Sequence, residues 1–229
     1  MDVYWLEQTA DDVPEGDDWL SAGETNRLRG MRFEKRRADW RLGRWTAKRA
    51  VAAHLGLPAS NDALAAIEIR QAPSGAPEAD GLSISLSHRA GRAMCMIAEP
   101  GTVLGCDLEI VEPRSAAFAA DYFTEREQSI VARAAAGDRS RLLALLWSAK
   151  ESALKALRAG LRLDPRHFEV ALADGLPGED GWHPVQVRQF HGWWQCTAPF
   201  VRTVVADPPP CTPLRLLRAA AGLRQISRR

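Results

Sequence analysis

The sequence predicts an α+β fold in two halves, each with a helix laid against a few strands. Apolar residues recur with helical spacing in two long runs, 21–56 and 138–160. Short strand-like segments follow each run, separated by loops rich in Pro, Gly and Ser. Because this order occurs twice, we expect the halves to meet near 99–104 and assign residues 1–103 to the first and 104–229 to the second. No internal sequence repeat is evident.

Length and composition indicate a soluble globular protein. The 229 residues suffice for one large domain or two small ones, and hydrophobic residues make up 46% of the chain, an ordinary share. The first twenty residues carry several acidic side chains, which is unlike a signal peptide, and no apolar run approaches the length of a membrane span. We therefore expect a cytoplasmic protein with no membrane partner. The four cysteines lack the spacing of a zinc site, so we expect reduced thiols.

The run 138–160 predicts one long helix with two distinct stripes. Asp138 is placed to cap its N-terminus and Gly160 to follow its last turn. A buried stripe is predicted from the spacing of Leu142, Leu146, Ala149, Ala153 and Leu157. A second stripe carries Ser148, Glu151 and Lys155. Taken alone, a carboxylate four residues before an ammonium group is typical of a surface ion pair.

Basic side chains are concentrated in the first helical run, which Ser21 and Glu24 open with a capping-box pattern. Residues 27–49 include ten basic residues against two acidic ones. Such a run predicts a phosphate-binding surface, for which nucleic acid is the commonest partner. The rest of the chain is balanced in charge, so a smaller polyanion or an acidic protein fits as well. We expect the core of this run to come from Phe33, Trp40, Leu42, Trp45 and Val51.

A strand is predicted over 82–86, where leucine and isoleucine alternate with serine. The alternation predicts one buried face and one exposed serine face. Ser87 and His88 follow where this strand ends, beside Arg89 and Arg92. A histidine at a strand end is more often structural than chemical, but here it stands among arginines.

The C-terminal end of the chain is predicted to be a stiff linker followed by a helix. Residues 207–213 contain four prolines. The short run 214–226 is basic and predicts a helix with three arginines, and Arg228 and Arg229 follow it.

Asp107 and Glu109 lie within an otherwise apolar strand predicted over 103–111. Because side chains alternate along a strand, the two carboxylates project from one face. They repel each other and need positive charge nearby. Ligands that offer only oxygen favour a hard cation such as magnesium, which usually takes one or two carboxylates together with water and substrate phosphate.

Two motifs, read together, carry a resemblance to a known family. Gly105-Cys-Asp-Leu-Glu109 is followed by Trp147-Ser-Ala-Lys-Glu-Ser-Ala-Leu-Lys155. This pair resembles the signature of the 4′-phosphopantetheinyl transferases, in particular their monomeric, broad-specificity type. The resemblance extends to 39–48, 85–88, 122–127 and 160–164. Cys106 stands where the family more often has an aliphatic residue.

The resemblance implies an activity and a fold. The family moves the phosphopantetheine arm of coenzyme A onto a serine hydroxyl of an acyl or peptidyl carrier protein and releases 3′,5′-ADP. Its fold is a pseudo-dimer of two similar α+β halves, with coenzyme A in the cleft between them. We accordingly expect an enzyme that is a monomer, with coenzyme A and an acidic, helical carrier protein as partners and no nucleic-acid partner.

Roles for individual residues follow by similarity. Asp107, Glu109 and Glu151 would hold magnesium against the pyrophosphate, and Lys155 would lie by the α-phosphate. The base that takes the serine proton is Glu151 or Glu127, directly or through water. Glu127 also has a structural explanation, because residues 124–127 form a capping-box pattern.

The remaining expected ligands concern coenzyme A and the carrier protein. The phosphates of coenzyme A are expected to contact the side chains of Arg37, Arg44, Lys48, Ser87 and His88. The candidate carrier surface is the loop 112–121 with the helix start at Thr124.

Two other functions use the same residues. A magnesium-dependent phosphodiesterase or nuclease would combine the carboxylates with a basic nucleic-acid face. A non-catalytic scaffold would bind coenzyme A or a carrier protein without transfer. The sequence leaves open which carrier protein, and hence which biosynthetic pathway, is served.

Overall fold

The computed structural model describes residues 1–172, 181–216 and 226–227 and has the predicted mixed α+β composition. The helices are α1 Ala22–Arg29, α2 Glu34–Leu55, α3 Asn61–Ala66, α4 Ala116–Tyr122, α5 Glu125–Arg133 and α6 Arg139–Ala156. The strands are β1 Tyr4–Thr9, β2 Arg70–Gln71, β3 Pro77–Glu78, β4 Ser83–Arg89, β5 Arg92–Ala98, β6 Val103–Ile110, β7 Val170–Leu172, β8 His183–Val187, β9 Phe190–Thr197, β10 Phe200–Asp207, β11 Leu214–Leu216 and β12 Ile226–Ser227. Within the described ranges, no helix combines the length and the apolar character that crossing a bilayer requires.

The chain divides into two compact units. The N-terminal unit comprises Asp2–Gly101 and the described part of Pro213–Arg229, and the C-terminal unit comprises Met1 and Thr102–Thr212.

The N-terminal unit is a five-stranded sheet with α2 packed on one face. The strand order is β12-β11-β1-β5-β4, with β1 and β11 parallel and the other neighbours antiparallel. Apolar side chains of α2, including Ala47, Ala50 and Val51, pack against Leu6 of β1 and Ile97 of β5. The core of this unit therefore lies between α2 and the sheet.

Two expectations for the N-terminal unit are corrected by the structure. Phe33 does not contribute to the core, because it precedes the first turn of α2 and its side chain is 71% exposed. The serine face of β4 is buried rather than exposed. Ser85 and Ser87 lie opposite Met96 and Met94 of β5, and both serines are buried.

The predicted C-terminal helix is wrong at both of its ends, because residues 214–216 and Ile226 lie in strands. Residues 214–216 form strand β11, because Leu214 and Arg215 pair with Tyr4 and Trp5 of β1. This strand joins the sheet of the N-terminal unit. Residues 217–225, the larger part of the predicted helix, lie outside the described residues.

The C-terminal unit is an antiparallel sheet covered by α6. The strand order is β6-β10-β9-β8-β7. Leu146, Ala149 and Ala153 of α6 pack on Val201 and Val205 of β10. The segment predicted as loop 112–121 contains α4, whose Phe118 and Ala119 pack against the same core.

Helix α6 ends earlier than predicted. Its last residue is Ala156, with Leu157 as the C-cap, whereas the sequence pattern placed the end before Gly160. Arg158 has a φ of 52°, in the left-handed region that interrupts a right-handed helix. Leu157 is consequently outside the buried stripe and is partly exposed.

The two units share one order of elements. In each unit a first strand is followed by a short helix with a capping box, a long helix and a hairpin. Those elements are β1, α1, α2 and β4–β5 in the N-terminal unit, and β6, α5, α6 and β9–β10 in the C-terminal unit. In both, the first strand pairs antiparallel with the last strand of the hairpin.

Candidate functional site

The candidate site lies where α6 crosses β6, and Gly105 sets how closely they approach. A Cβ added at Gly105 would lie 1.9 Å from the backbone oxygen of Ser152 and 2.6 Å from the backbone nitrogen of Ala156. Any other residue would push the helix away from the strand. The close approach brings the turn of α6 that carries Glu151 and Lys155 next to the strand that carries the two predicted carboxylates.

Lys155 and Asp107 form the central ion pair of the site. The Lys155 Nζ lies 2.6 Å from the Asp107 Oδ1 and donates a hydrogen bond to it. The Asp107 side chain is 6% exposed and that of Lys155 is 29% exposed. Burial acts to lower the pKa of Lys155, but Asp107, Cys106 and Glu151 together outweigh it, so the pKa is raised above its ordinary value. The lysine is therefore a fixed cation at neutral pH.

Glu151 is held in an environment that disfavours its charge. Burial raises the pKa of Glu151, and repulsion by Asp107 and Glu109 raises it further, while Lys155 acts in the opposite direction. The three predicted carboxylates therefore influence one another electrostatically. A carboxylate with a raised pKa is a stronger proton acceptor than an ordinary surface glutamate.

Glu109 is paired with an arginine that the sequence analysis did not identify. The Arg114 Nη2 lies 3.1 Å from the Glu109 Oε2 and 3.2 Å from the Glu112 Oε1. The Arg114 guanidinium carbon also lies 5.0 Å from the ring centroid of Phe118 in α4, a cation–π contact. Phe118 in turn packs on Trp147 of α6. The predicted carrier surface is thus in contact with a predicted metal ligand.

The donor set suits a hard divalent cation, since all three predicted ligands are carboxylates. Burial first, and then repulsion by Asp107 and Glu109, raises the pKa of Glu151, and a cation would relieve the repulsion. Over the ranges that the structure describes, however, no three acidic, histidine or cysteine side chains are gathered as a metal site. Asp107 and Glu109 are instead paired with Lys155 and Arg114.

Glu127, the other candidate base, is used in the fold. Its carboxylate accepts hydrogen bonds from the backbone nitrogens of Thr124 and Val170, and it forms an ion pair with Lys150, Nζ–Oε2 2.9 Å. Both charged side chains are fully buried. Lys150 donates two further hydrogen bonds to the backbone oxygens of Pro165 and Phe168. Glu127 therefore joins α5, α6 and the start of β7.

The same arrangement occurs in the N-terminal unit around Lys48. Its Nζ lies 2.5 Å from the Glu24 Oε2 and donates to the backbone oxygen of Leu64. Glu24 caps α1 through Ser21 and accepts from the backbone nitrogen of Ile69. Burial lowers the pKa of Lys48, and Glu24 opposes that effect. The ammonium group is fully buried, so we assign Lys48 to the fold rather than to a phosphate.

This repeated ion pair was missed by the sequence analysis, although a signal for it exists. Trp45-Thr-Ala-Lys48 and Trp147-Ser-Ala-Lys150 are nearly identical. Each follows a capping box with Ser or Thr at the cap and Glu three residues later. Comparing the two long helices around their Trp-x-Ala-Lys sequences would have shown the repeat.

The predicted phosphate ligands of the N-terminal unit differ in exposure. Arg44 is buried, its guanidinium lies 5.0 Å from the Trp40 ring centroid, and its Nε lies 3.9 Å from the Glu24 Oε1. Burial lowers the pKa of Arg44, against the opposite effect of Glu24. Arg37 is exposed in the first turns of α2. His88 is exposed at the end of β4, next to the buried Ser87.

Comparison with known proteins matches the segment that carries this site. A model of the 4′-phosphopantetheinyl transferase superfamily matches residues 103–193, from β6 to β9. No curated protein sequence matches the chain.

Two solved structures show a weaker likeness. One is a holo-(acyl-carrier-protein) synthase from Bacillus anthracis in complex with CoA (3′,5′-ADP). It is 19% identical over 42% of this chain and 92% of that chain, with a TM-score of 0.37. The other is a holo-[acyl-carrier-protein] synthase from Thermotoga maritima. It is 22% identical over 45% of this chain and 61% of that chain, with a TM-score of 0.35.

Proposed function

We propose, from the premise that residues 103–193 carry a domain of the 4′-phosphopantetheinyl transferase superfamily, that this protein transfers the phosphopantetheine arm of coenzyme A. The acceptor is a serine hydroxyl of an apo acyl or peptidyl carrier protein, and the other product is 3′,5′-ADP. The observation that supports this proposal best is the contact between Lys155 and Asp107 beside Glu151, because it lies inside the matched segment.

The reaction is a phosphoryl transfer, in which an enzyme acts mainly by positioning and by neutralising charge. The serine oxygen bonds to the phosphorus that bears pantetheine, and the bond from that phosphorus to the bridging oxygen breaks. The leaving group is 3′,5′-ADP. Lys155, fixed as a cation, would stabilise the charge that develops on its phosphate.

We assign the role of proton acceptor to Glu151 rather than to Glu127. Burial raises the pKa of Glu151, which strengthens it as a base for the serine hydroxyl, directly or through water. Both oxygens of Glu127 are used in hydrogen bonds within the fold, and its side chain is fully buried.

Asp107, Glu109 and Glu151 would hold the magnesium ion. When bound, such an ion neutralises negative charge on the pyrophosphate. A carboxylate has two oxygens, so Glu151 can act as both ligand and base. The pairing of Asp107 with Lys155 and of Glu109 with Arg114 supplies positive charge to the same carboxylates from the chain itself.

For coenzyme A we propose Arg37, Arg44, Ser87 and His88 as phosphate ligands, together with Lys155. Arg44 is the best supported of them. It is a buried guanidinium, and the nearest carboxylate among the described residues, Glu24, is 3.9 Å away and also pairs with Lys48. We further propose the pseudo-dimeric arrangement with coenzyme A between the halves, the monomeric state and the broad carrier specificity that the resemblance implies.

The test is intact-mass spectrometry of an apo carrier protein incubated with this protein, coenzyme A and magnesium. We expect the carrier to gain the mass of one phosphopantetheine arm, and to gain nothing in EDTA or when its acceptor serine is replaced by alanine. The variant Asp107→Asn should lose the activity, while Asp2→Asn, at an exposed acidic residue outside the matched segment 103–193, should keep it.

Two outcomes would point to the other functions. Coenzyme A binding without a mass gain on any of several carriers would favour a scaffold. Magnesium-dependent cleavage of DNA or RNA, with binding that weakens steeply with salt, would favour the nuclease.

A further inference from the structure

We infer that Thr203 is a positioning residue that fixes α6 to the sheet through its hydroxyl, and so sets where Glu151 and Lys155 stand relative to Asp107. Thr203 lies in the middle of β10, is fully buried, and belongs to none of the motifs that identify the site. The inference rests on the proposed function for its consequence in catalysis, but its structural part can be tested separately.

The Thr203 hydroxyl is the centre of a buried group of three hydroxyls. Its Oγ1 lies 2.9 Å from the Ser148 Oγ and 2.6 Å from the Ser152 Oγ, and it donates to the backbone oxygen of Ser148 at 2.9 Å. Both serines are on α6 and are fully buried. One side chain of the sheet therefore contacts two successive turns of the helix.

One donor assignment satisfies all three hydroxyls. Thr203 donates its single hydrogen to the Ser148 carbonyl, and both serines donate to the Thr203 oxygen, which can accept twice. The Ser152 hydroxyl also lies 3.3 Å from the Thr203 backbone oxygen, a second acceptor on the same residue. Removing the Thr203 hydroxyl would leave the buried Ser148 hydroxyl without this acceptor, and would leave Ser152 with the longer bond to the Thr203 backbone oxygen.

The group lies directly beside the candidate site. Thr203 is the cross-strand partner of Asp107, on the same face of the sheet. Ser152 follows Glu151 in sequence, and its carbonyl is the atom that packs against Gly105. The three buried hydroxyls and Gly105 thus hold the same turn of α6. The hydroxyls do so by hydrogen bonds, and the glycine does so by close contact with the helix backbone.

This contact gives the serines of Trp-Ser-Ala-Lys-Glu-Ser a function. Neither Ser148 nor Ser152 is exposed to a substrate. The matching helix of the N-terminal unit has Thr46 and Ala50 at the equivalent positions. Among the residues that the structure describes, the Thr46 hydroxyl donates only to the backbone oxygen of Leu42 in its own helix. The link from helix to sheet is therefore made in the unit that carries the Lys155–Asp107 pair.

The first test compares Thr203→Val with Thr203→Ser. Valine keeps the branched shape and removes the hydroxyl, whereas serine keeps the hydroxyl. We expect Thr203→Val to lower kcat about 10- to 100-fold, with the KM for coenzyme A changed by less than about 3-fold, because a small displacement of catalytic groups has a large effect on rate. Thr203→Ser should retain kcat within about 3-fold of the wild type.

Two further variants separate positioning from stability. The triple variant Ser148→Ala, Ser152→Ala, Thr203→Val has no buried hydroxyl left unsatisfied, so its Tm should recover toward that of the wild type while its kcat stays low. Thr46→Val removes a buried hydroxyl from the other unit and should lower Tm without lowering kcat. Recovery of kcat together with Tm in the triple variant would overturn the inference, as would wild-type kcat in Thr203→Val.

If Thr203→Val fails to fold, Ser152→Ala decides the question. This variant keeps the contact between Thr203 and Ser148, and we expect a kcat about 3- to 10-fold below that of the wild type. An unchanged kcat would overturn the inference.

A measurement without substrate distinguishes failure of this inference from failure of the proposed function. Hydrogen exchange of the backbone amides at 148–156 should be faster in Thr203→Val than in the wild type, and unchanged in Thr46→Val. If the wild type transfers no phosphopantetheine, the proposed function fails, while the exchange data still test the contact. Equal exchange in wild type and Thr203→Val would overturn the inference even in an active enzyme.

Discussion

Lys150 and Glu127 form an ion pair 2.9 Å long with both side chains fully buried, and Lys48 and Glu24 repeat it in the other unit. Each glutamate also caps a short helix. Glu127 accepts a hydrogen bond from the backbone nitrogen of Val170, where β7 begins, and Glu24 accepts one from that of Ile69, just before β2. Buried charges are tolerated only when they are paired and hydrogen-bonded. The pairs therefore fix the long helix of each unit to the capped helix before it, and they place α6 in particular.

Replacing Lys150 by methionine should destabilise the protein strongly, because it leaves the Glu127 carboxylate buried without its cation. We expect the free energy of unfolding to fall by about 3–5 kcal/mol. Adding Glu127→Gln should recover part of this loss, since the buried charge is then removed. Arg126→Ala is the matched control, because Arg126 forms an exposed pair with Glu169 and should contribute less than about 1 kcal/mol. Urea unfolding measures all three, and equal stability of Lys150→Met and Arg126→Ala would contradict the assignment.

Gly105→Ala should impair both folding and activity through a steric effect. The added carbon would meet the backbone oxygen of Ser152 at 1.9 Å, and backbone on both sides cannot move as a flexible side chain would. We expect a loss of about 1–3 kcal/mol in stability and a loss of activity, because α6 carries Glu151 and Lys155.

Gly137→Ala is the control for this substitution, since a Cβ at that position meets no atom within 4 Å. Thermal unfolding and the transfer assay, run on both variants, give the comparison. A Gly105→Ala protein as stable and active as Gly137→Ala would show that the close approach is not required.

Glu151→Gln should stabilise the protein while abolishing transfer. Burial, then Asp107 and Glu109, raise the pKa of Glu151 above its ordinary value of 4.5, so the ionised carboxylate destabilises the folded state. This loss of stability is absent below pH 4.5, the ordinary pKa of glutamate. It grows as the pH rises toward the folded-state pKa of Glu151 and is complete above that value. Glutamine removes the charge, so Tm should rise by a few degrees at pH 7 and by less near pH 4.

The measurement is thermal unfolding of wild type and Glu151→Gln across this pH range, without added metal. Glu125→Gln, in the exposed first turn of α5, serves as the control and should show no such gain. A Tm for Glu151→Gln that is lower than wild type at pH 7 would contradict the electrostatic account.

The sequence was sufficient to predict the elements that carry Asp107, Glu109, Glu151 and Lys155, because each lies in a segment with a clear period. Alternation in β6 places Asp107 and Glu109 on one face, and helical spacing places Glu151 and Lys155 one turn apart in α6. The direct contact between Lys155 and Asp107 could not be predicted from either segment alone. It depends on the distance between helix and strand, which Gly105 and Thr203 determine.

The basic run 27–49 shows where local pattern is insufficient. All ten cations looked exposed and available for phosphate, yet Lys48 is fully buried and Arg44 nearly so. The partner of Lys48 is Glu24, which lies in the preceding helix α1. No periodicity in the sequence connects the two residues. Tertiary packing decides whether a charged residue is buried. The desolvation cost of burying the charge is offset only where the fold supplies an oppositely charged partner.

Arg114 was missed for a similar reason. The segment 112–121 was predicted as a loop, and a loop arginine has no defined direction. In the structure, α4 places Phe118 under the guanidinium while Glu109 accepts from it. Only the fold of that segment brings the arginine to the carboxylate.

Lys155→Ala should reduce turnover far more than it reduces affinity for coenzyme A. The proposed role of Lys155 is to stabilise charge that develops on the leaving phosphate, an interaction strongest in the transition state. We expect kcat to fall by about 100-fold or more, with the Kd for coenzyme A changed by less than about 10-fold. Lys155→Arg keeps the charge and should lose less activity than alanine. Calorimetry gives the Kd and the carrier mass assay gives kcat, and a large rise in Kd with unchanged kcat would mean that Lys155 serves binding instead.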